Sequence, residues 1–442
     1  MRTIMCLVWL FISGCTAVAP APSSTLASLD ERGSLAVIEL KRWYQSITDD
    51  CGGPDKPGYL CSGIALRTTG SSSNFLPWDP TDSQIRKGSV AFSWLRQDSN
   101  FGKPFGNQNG LILYPNQAVP KDKVADLHVL CAFPINANTN QRPTLQGCGP
   151  ITGYESTTDT CQALGIITAQ QWLERYPQAG NYRVCGWDMR ALEGSSAEGF
   201  HTAIAARAGL ADDLWSINNE VLLRAWSKGE GGVLPVHSFF YVQGERQALA
   251  KAQYDQIRYN QHYQQLIPVV RVTFPENKAG IAAFAYEAQD QAVGRPIPTP
   301  SVDFEALAVG PYTQITADGV EFQLSGSQRG VSDTAHPGSG GRIAGKHLAV
   351  SATIQLVLEG AGRRLVRFSW GCNSYCGMQA EIAEVYEELS SDGPGAMRYG
   401  TKEFIIDGPE IIRVTVDSEE DDNLLVLDNL TVQALPAQPH MP

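Results

Sequence analysis

Three prolines within five residues, Pro296, Pro298 and Pro300, divide this 442-residue chain. Proline has no amide hydrogen and a fixed φ, so neither a helix nor a central strand runs through such a stretch. Ala288 to Val302 is therefore read as a boundary, and a chain of this length calls for more than one domain. Before the boundary, helix-spaced and strand-like segments alternate. After it, runs such as Val320–Leu324, Leu348–Val357, Arg364–Trp370, Glu410–Val416 and Leu424–Leu427 are separated by turn residues. The expected fold is an α+β N-terminal domain over 30–288, a linker over 289–302 and an all-β jelly-roll-like sandwich over 303–435. A hydrophobic fraction of 43% supports packed cores,. A net charge of −12 argues against a nucleic-acid partner,.

The N-terminus reads as a targeting segment. Arg2 precedes an apolar stretch, Ile4 to Ile12, too short to span a bilayer,. Ile12-Ser13-Gly14-Cys15 resembles a bacterial lipobox, which implies a signal over 1–15, acylation of Cys15 and membrane attachment through the lipid. The alternative is an ordinary secretory signal cut after Ala17 or Ala19. Thr16 behind the cysteine implies the outer membrane, and the Ala-, Pro- and Ser-rich residues 16–29 read as a tether. The expected location is the cell envelope, as an outer-membrane lipoprotein, or the secreted fraction.

Cysteine usage supports export. Besides Cys6 and Cys15 there remain Cys51, Cys61, Cys131, Cys148, Cys161, Cys185, Cys372 and Cys376. An even set in an exported chain argues for disulfides. No C-x-x-C pair is present, which argues against zinc. Sequence leaves the pairing open; neighbour pairing, 51–61, 131–148, 161–185 and 372–376, is the expectation.

Within the first domain, Leu29–Ile47 carries a helical stripe of Leu35, Ile38, Leu40, Trp43 and Tyr44,. Strands are expected at Ser62–Thr69, Ser89–Leu95, Gly110–Tyr114, Leu127–Phe133, Val221–Leu223, Phe239–Val242 and Leu266–Phe274. Pro268 places the last at a sheet edge or makes it begin later. Helices are expected at Thr168–Arg175, capped by Thr168, at Ser196–Arg207 and at Gln247–Gln265. Gln253, Asp255 and His262 on the last of these read as a solvated polar face. His201 and His237 lack a Ser or Cys at a hydrolase spacing.

Glu220 stands out. It follows Asn218-Asn219 and heads the apolar run Val221-Leu222-Leu223, a placement that turns a carboxylate towards a cleft while the strand behind it is fixed,. From about Leu35 to Ala288 the chain resembles the halovibrins, exported bacterial proteins described as ADP-ribosyltransferases that consume NAD. The likeness rests on C-S-G-I-A-L-R-T-T (61–69), F-S-W-L-R (92–96), A-Q-Q-W-L (169–173), N-E (219–220) with its apolar run, F-F-Y-V (239–242) and A-Q-Y-D-Q (252–256). More distantly it resembles the Arg–Ser–Glu toxin class, with Arg67, Ser93 and Glu220 in the class's chain order. Asn218 stands where that class has Gln or Glu, and the gap from Ser93 to Glu220 must hold a disulfide-bearing insertion.

The resemblance implies NAD as substrate, with a protein, a small molecule or water as acceptor. Cleavage of the nicotinamide–ribose bond builds oxocarbenium-like charge, which Glu220 would stabilise. Arg67 would bind the pyrophosphate, and Ser93 would orient the carboxylate or the ribose. Asn218 favours hydrolysis over transfer to a protein. The C-terminal region resembles jelly-roll modules of exported enzymes, which implies a structural calcium between Glu305 and Asp428 and a glycan as ligand. The expected function is an exported NAD-consuming enzyme, transferase or glycohydrolase. The alternative is a non-enzymatic surface adhesin or glycan-binding lipoprotein.

Overall fold

The computed structural model describes residues 23–47, 51–53, 56–72, 75–123, 128–137, 148, 160–176, 185–189, 195–293, 301–302, 304–391, 394–417 and 422–435. The lipobox and its Cys15 lie outside them. Among the described residues no helix is long and apolar enough to cross a membrane.

The first domain is α+β. Helix α1 spans Ser23–Gln45, so the second half of the stretch read as a tether is helical. Its buried row is Ala36, Leu40, Trp43 and Tyr44, at the i, i+4, i+7 and i+8 spacing of one helix face,. Leu35 and Ile38 fall off that row and are exposed. The chain continues through β1 (Ile64–Thr68), α2 (Asp82–Lys87), β2 (Ser89–Leu95), β3 (Asn109–Leu113), β4 (Val129–Phe133) and α3 (Ala169–Arg175). Then come β5 (Trp187–Asp188), α4 (Ser195–Ala208), α5 (Asp212–Trp215), β6 (Glu220–Arg224), β7 (Val236–Val242), α6 (Arg246–Tyr263), β8 (Val269–Thr273) and β9 (Ala283–Ala285). Thr168 caps α3 in a reciprocal capping box with Gln171,. The strands form one sheet in the order β5-β4-β6-β2-β1-β3-β7-β8-β9. Among the described residues of this sheet only β7 and β8 pair in parallel, with α6 as their crossover,. Pro268 lies just ahead of β8, which is an internal strand and not an edge.

Strand β2 changes neighbours halfway along. Its first half pairs with β6, up to Phe92 opposite Val221. Its second half pairs with β1, from Ser93 opposite Leu66 to Leu95 opposite Ile64. The sheet is therefore parted between the C-terminal end of β1 and the N-terminal end of β6. On the far side of β1, Gly110 of β3 faces Thr68, and a Cβ there would lie 1.8 Å from the Arg67 carbonyl oxygen. Only glycine permits that approach.

All four expected disulfides are present: Cys51–Cys61, Cys131–Cys148, Cys161–Cys185 and Cys372–Cys376. Two of them fall between Ser93 and Glu220, in the long insertion. Such a set fits an oxidising, extracytoplasmic compartment.

The second domain is a β-sandwich of antiparallel strands. In chain order these are β10 (Ser301–Val302), β11 (Gly310–Pro311), β12 (Gln314–Ala317), β13 (Val320–Leu324), β14 (Arg329–Ser332), β15 (His347–Val350) and β16 (Thr353–Leu358). They are followed by β17 (Arg363–Cys372), β18 (Cys376–Ala380), β19 (Val385–Ser390), β20 (Arg398–Asp407), β21 (Glu410–Val416) and β22 (Leu425–Ala434). One sheet runs β11-β14-β15-β22-β17-β20, with β10 paired to β22; the other runs β12-β13-β16-β21-β18-β19. Phe322, Leu348, Ile354, Phe368, Ile412 and Leu427 are among the side chains that fill the core between them.

Contacts of the first domain continue past residue 288. Asp290 accepts a 2.5 Å hydrogen bond from the Tyr241 hydroxyl, and the Gln291 side chain bonds both backbone groups of Val269. The Ala292 amide also donates to Gln256 Oε1 at 2.8 Å, and Val302 pairs with Leu430.

Helix α6 joins the domains. Of its polar face His262 is exposed as expected, but Gln253, Asp255 and Gln256 are buried, at 2%, 0% and 1% exposed: Gln253 between Asp290 and Gly360 of the sandwich, Asp255 and Gln256 against Ser71, Ile267 and Gln291 of the first domain itself. Ala250 packs on Val357 and Ile411. Lys251 pairs with Glu381, whose other oxygen meets Arg413 at 2.5 Å. Asp255 accepts a 2.6 Å hydrogen bond from Ser71, while its second oxygen has no partner among the described residues. Burial pushes its carboxyl up to about 8. Between the carboxylate's ordinary value and that one, the folded state holds a proton the unfolded chain has lost, so stability falls as pH rises through this window. Asp255→Asn is expected to raise stability at pH 8 by about 1–3 kcal/mol and to flatten the pH dependence from 5 to 8. Urea denaturation at both pH values checks this; an unchanged slope refutes it.

Candidate functional site

The parting of the sheet opens a cavity of about 300 Å³. Leu66 to Thr69 form one wall, Asn218 and Glu220 the opposite one, and Ala91-Phe92-Ser93 the floor between them. Arg67, Ser93, Asn218 and Glu220, spread over more than 150 positions in the chain, all line this one cavity.

Each is held by a specific contact. The second Asn of the N-N-E run makes the wall. At the point where β2 leaves β6, Trp94 still turns its amide and carbonyl towards the departed strand. The Asn219 side chain takes both: its oxygen accepts from Trp94 N at 2.8 Å and its nitrogen donates to Trp94 O at 2.7 Å. It also donates to Ser99 Oγ at 3.2 Å. The Asn218 nitrogen donates to Ser93 Oγ and to the Asn219 carbonyl, each at 2.7 Å. Behind them, the chain leaving β4 runs alongside: Asn136 N donates to Asn218 O at 2.7 Å, and Ala137 N donates to Glu220 Oε2 at 2.9 Å. Glu220 is only 3% exposed, yet it borders the cavity.

Arg67 differs from expectation in what its fork touches. Nη1 donates to the carbonyls of Pro77 and Asp79 at 3.1 and 3.3 Å, and Nη2 to Gln84 Oε1 at 3.1 Å. Burial pushes the guanidinium down to about 10, which leaves it charged at neutral pH. Arg67 therefore fastens the segment 77–84 against the cavity. That segment is also fixed by Trp78, buried against Phe239, Tyr259 and Tyr263, and by the Thr81–Gln84 capping box.

Sequence reasoning missed Thr68, Thr69, Phe75, Thr81, Gln84, Phe105 and Asn136 as lining residues. The Thr81-x-x-Gln84 cap was a readable helix signal. Nothing local marks Phe75 and Phe105, which are 36% and 56% exposed at the cavity. Gln253, Asp255 and His262 stand apart from this site. His237 lies within 3.2 Å of Glu39 and 3.1 Å of Ser238, but Ser238 is wholly buried in the sheet, where no substrate reaches it.

Glu305 and Asp428 come to one loop of the sandwich. Glu305 accepts from Lys346 N at 2.9 Å and Asp428 from Ala344 N at 3.0 Å. Among the described residues no group of three or more His, Cys, Asp or Glu side chains gathers as a metal site.

No family model and no curated protein matches the chain. Solved structures similar to part of it include a carbohydrate-binding module in complex with β-1,4-galactotriose, at 12% identity and TM-score 0.19, covering 26% of this chain and 88% of that one. A mutant of a family 29 carbohydrate-binding module shows 14% identity and TM-score 0.18, covering 31% and 93%. The K3 adhesin domain of Lys-gingipain from Porphyromonas gingivalis shows 14% and 0.18, covering 30% and 96%.

Asn219→Ala strips partners from both backbone groups of Trp94 and is expected to cost about 2–4 kcal/mol of stability. Chemical denaturation measures it; a loss below about 0.5 kcal/mol would mean that the split does not depend on this amide.

Proposed function

We propose that the first domain consumes NAD by cleaving the nicotinamide–ribose bond, as the halovibrins that it resembles from about Leu35 to Ala288 are described to do. The observation that supports this is the convergence of Arg67, Ser93, Asn218 and Glu220 on one cavity. The cavity takes the nicotinamide riboside end. Glu220, with one oxygen steadied by Ala137 N, faces the charge that develops on the sugar,. Ser93 and Asn218 fix each other beside it. Arg67 acts through the wall it fastens, and the exposed rings of Phe75 and Phe105 offer apolar contact to the substrate. Both hydrogens of the Asn218 amide are already engaged, which supports water over a protein as the acceptor.

A second reading concerns the sandwich. A depression of about 410 Å³ on its β11-β14-β15-β22 face, lined by Gln328, Arg329, Ser332 and Thr334, has the polar character of a glycan site. In that reading the protein is a surface adhesin, and calcium at Glu305 and Asp428 would stiffen the loop both carboxylates hold. Retention of the purified protein on immobilised polysaccharides, with calcium and with chelator, checks both points; no retention in either condition removes this reading.

For the enzyme, nicotinamide release from NAD is the assay. Glu220→Gln keeps the shape and removes the charge, and is expected to slow release about a hundred- to a thousandfold while NAD binding weakens less. Arg67→Ala loosens the 77–84 wall and is expected to hurt affinity at least as much as turnover. A folded Glu220→Gln protein that releases nicotinamide at the wild-type rate ends this reading.

A further inference from the structure

The same depression on the sandwich holds a pair of histidines that neither reading uses. His347 opens β15, opposite Ser332, and is 1% exposed. His336 lies half-buried in the connection between β14 and β15. Their Nε2 atoms are 3.2 Å apart, and both side chains line the cavity.

The outer nitrogens are occupied. His347 Nδ1 stands 3.2 Å from the Gly345 carbonyl. A carbonyl only accepts, so Nδ1 carries the hydrogen and Nε2 presents a bare lone pair. His336 Nδ1 stands 2.9 Å from the Tyr399 hydroxyl, which accepts as well as donates,. When Nδ1–H donates to Tyr399, the His336 Nε2 is also bare, and two lone pairs meet at one point. The ring centroids are 4.8 Å apart at an interplanar angle of 71°. Two rings sharing one linear N–H···N bond end to end would have their centres further apart, so these lean towards a common point.

We propose that His336 and His347 bind a divalent transition metal ion, of the zinc, copper or nickel type, at the base of the sandwich depression. Two imidazole nitrogens on a tetrahedral ion, each about 2.1 Å from it, lie about 3.4 Å apart, close to the spacing seen. Imidazole pairs favour these ions over calcium, which separates the site from Glu305 and Asp428. A hydrogen bond to the second ring nitrogen is what orients a metal-binding histidine, and both rings have one. Burial pushes both imidazoles below the ordinary histidine value, so they are neutral and able to ligate at neutral pH. Among the described residues no third His, Cys, Asp or Glu completes the set. The remaining positions face the cavity beside Arg329, Ser332 and Thr334, open to water or to an oxygen ligand.

The test uses the full chain with its disulfides intact, exchanged into metal-free buffer. Calorimetric titration with zinc chloride should show one equivalent bound. Copper(II) added at one equivalent should give an electron paramagnetic spectrum with two coupled nitrogens. His336→Ala, a half-buried position that the core does not need, should weaken zinc binding about tenfold or more and remove one nitrogen coupling. His347→Gln should do the same where it folds, and His262→Ala, on the first domain, should change nothing. No saturable zinc binding, or binding of equal strength in His336→Ala, overturns the proposal. Nicotinamide release plays no part in these readouts, so the metal site stands or falls separately from the enzyme.

Discussion

A strand that changes partners leaves backbone groups pointing at nothing, and the first domain is arranged around one such place. At Ser93, β2 turns from β6 to β1. An unpaired amide and carbonyl at a buried position would cost several kcal/mol together. The Asn219 amide stands in for the missing strand, matching donor to acceptor as a peptide group would. Because that residue sits between Asn218 and Glu220, closing the backbone on one side of the split delivers two polar side chains to the other. The pocket is in this sense a by-product of how the gap in the sheet is sealed.

Much of this was readable from residues because the signals were local. β-branched and aromatic runs marked the strands, the Thr168 cap marked α3, and neighbouring cysteines proved to be partners. Arg67, Ser93, Asn218 and Glu220 were singled out by the resemblance to the Arg–Ser–Glu class, and strand pairing places all four around one cavity. What escaped depended on partners far away in sequence. The polar face of α6 reads as solvated because nothing within the helix announces that Gly360 of the sandwich will meet Gln253, or that Ser71 and Ile267 of its own domain will meet Asp255 and Gln256. The fork of Arg67 reads as a phosphate ligand because the carbonyls of Pro77 and Asp79 carry no sequence signature. Pro268 permits two readings of β8, and only the pairing with both β7 and β9 decides between them.

Charge is handled differently at the cavity and at the domain boundary. At the cavity, Glu220 is steadied by the backbone amide of Ala137. At the boundary, Lys251, Glu381 and Arg413 form a chain of alternating sign, and Asp255 nearby is kept in its uncharged form by burial. An ionised Asp255 would sit in a space that offers its second oxygen no partner. The two domains are thus held by apolar contact at Ala250, Val357 and Ile411, framed by groups whose charges are already spent on one another.

The burial of α6 also bears on how this protein was assembled. The sandwich looks portable, with its own core and with its first and last strands paired at the point where the chain enters. Yet its outer face carries a footprint for one particular helix, and the loop holding Glu381 and Glu384 reaches across to Lys251 and Ser72. A gene that acquired the sandwich without the helix would display an apolar patch rimmed by unmatched charge. Cutting the chain at the proline-rich stretch would leave Val357 and Ile411 without Ala250, and Glu381 without Lys251.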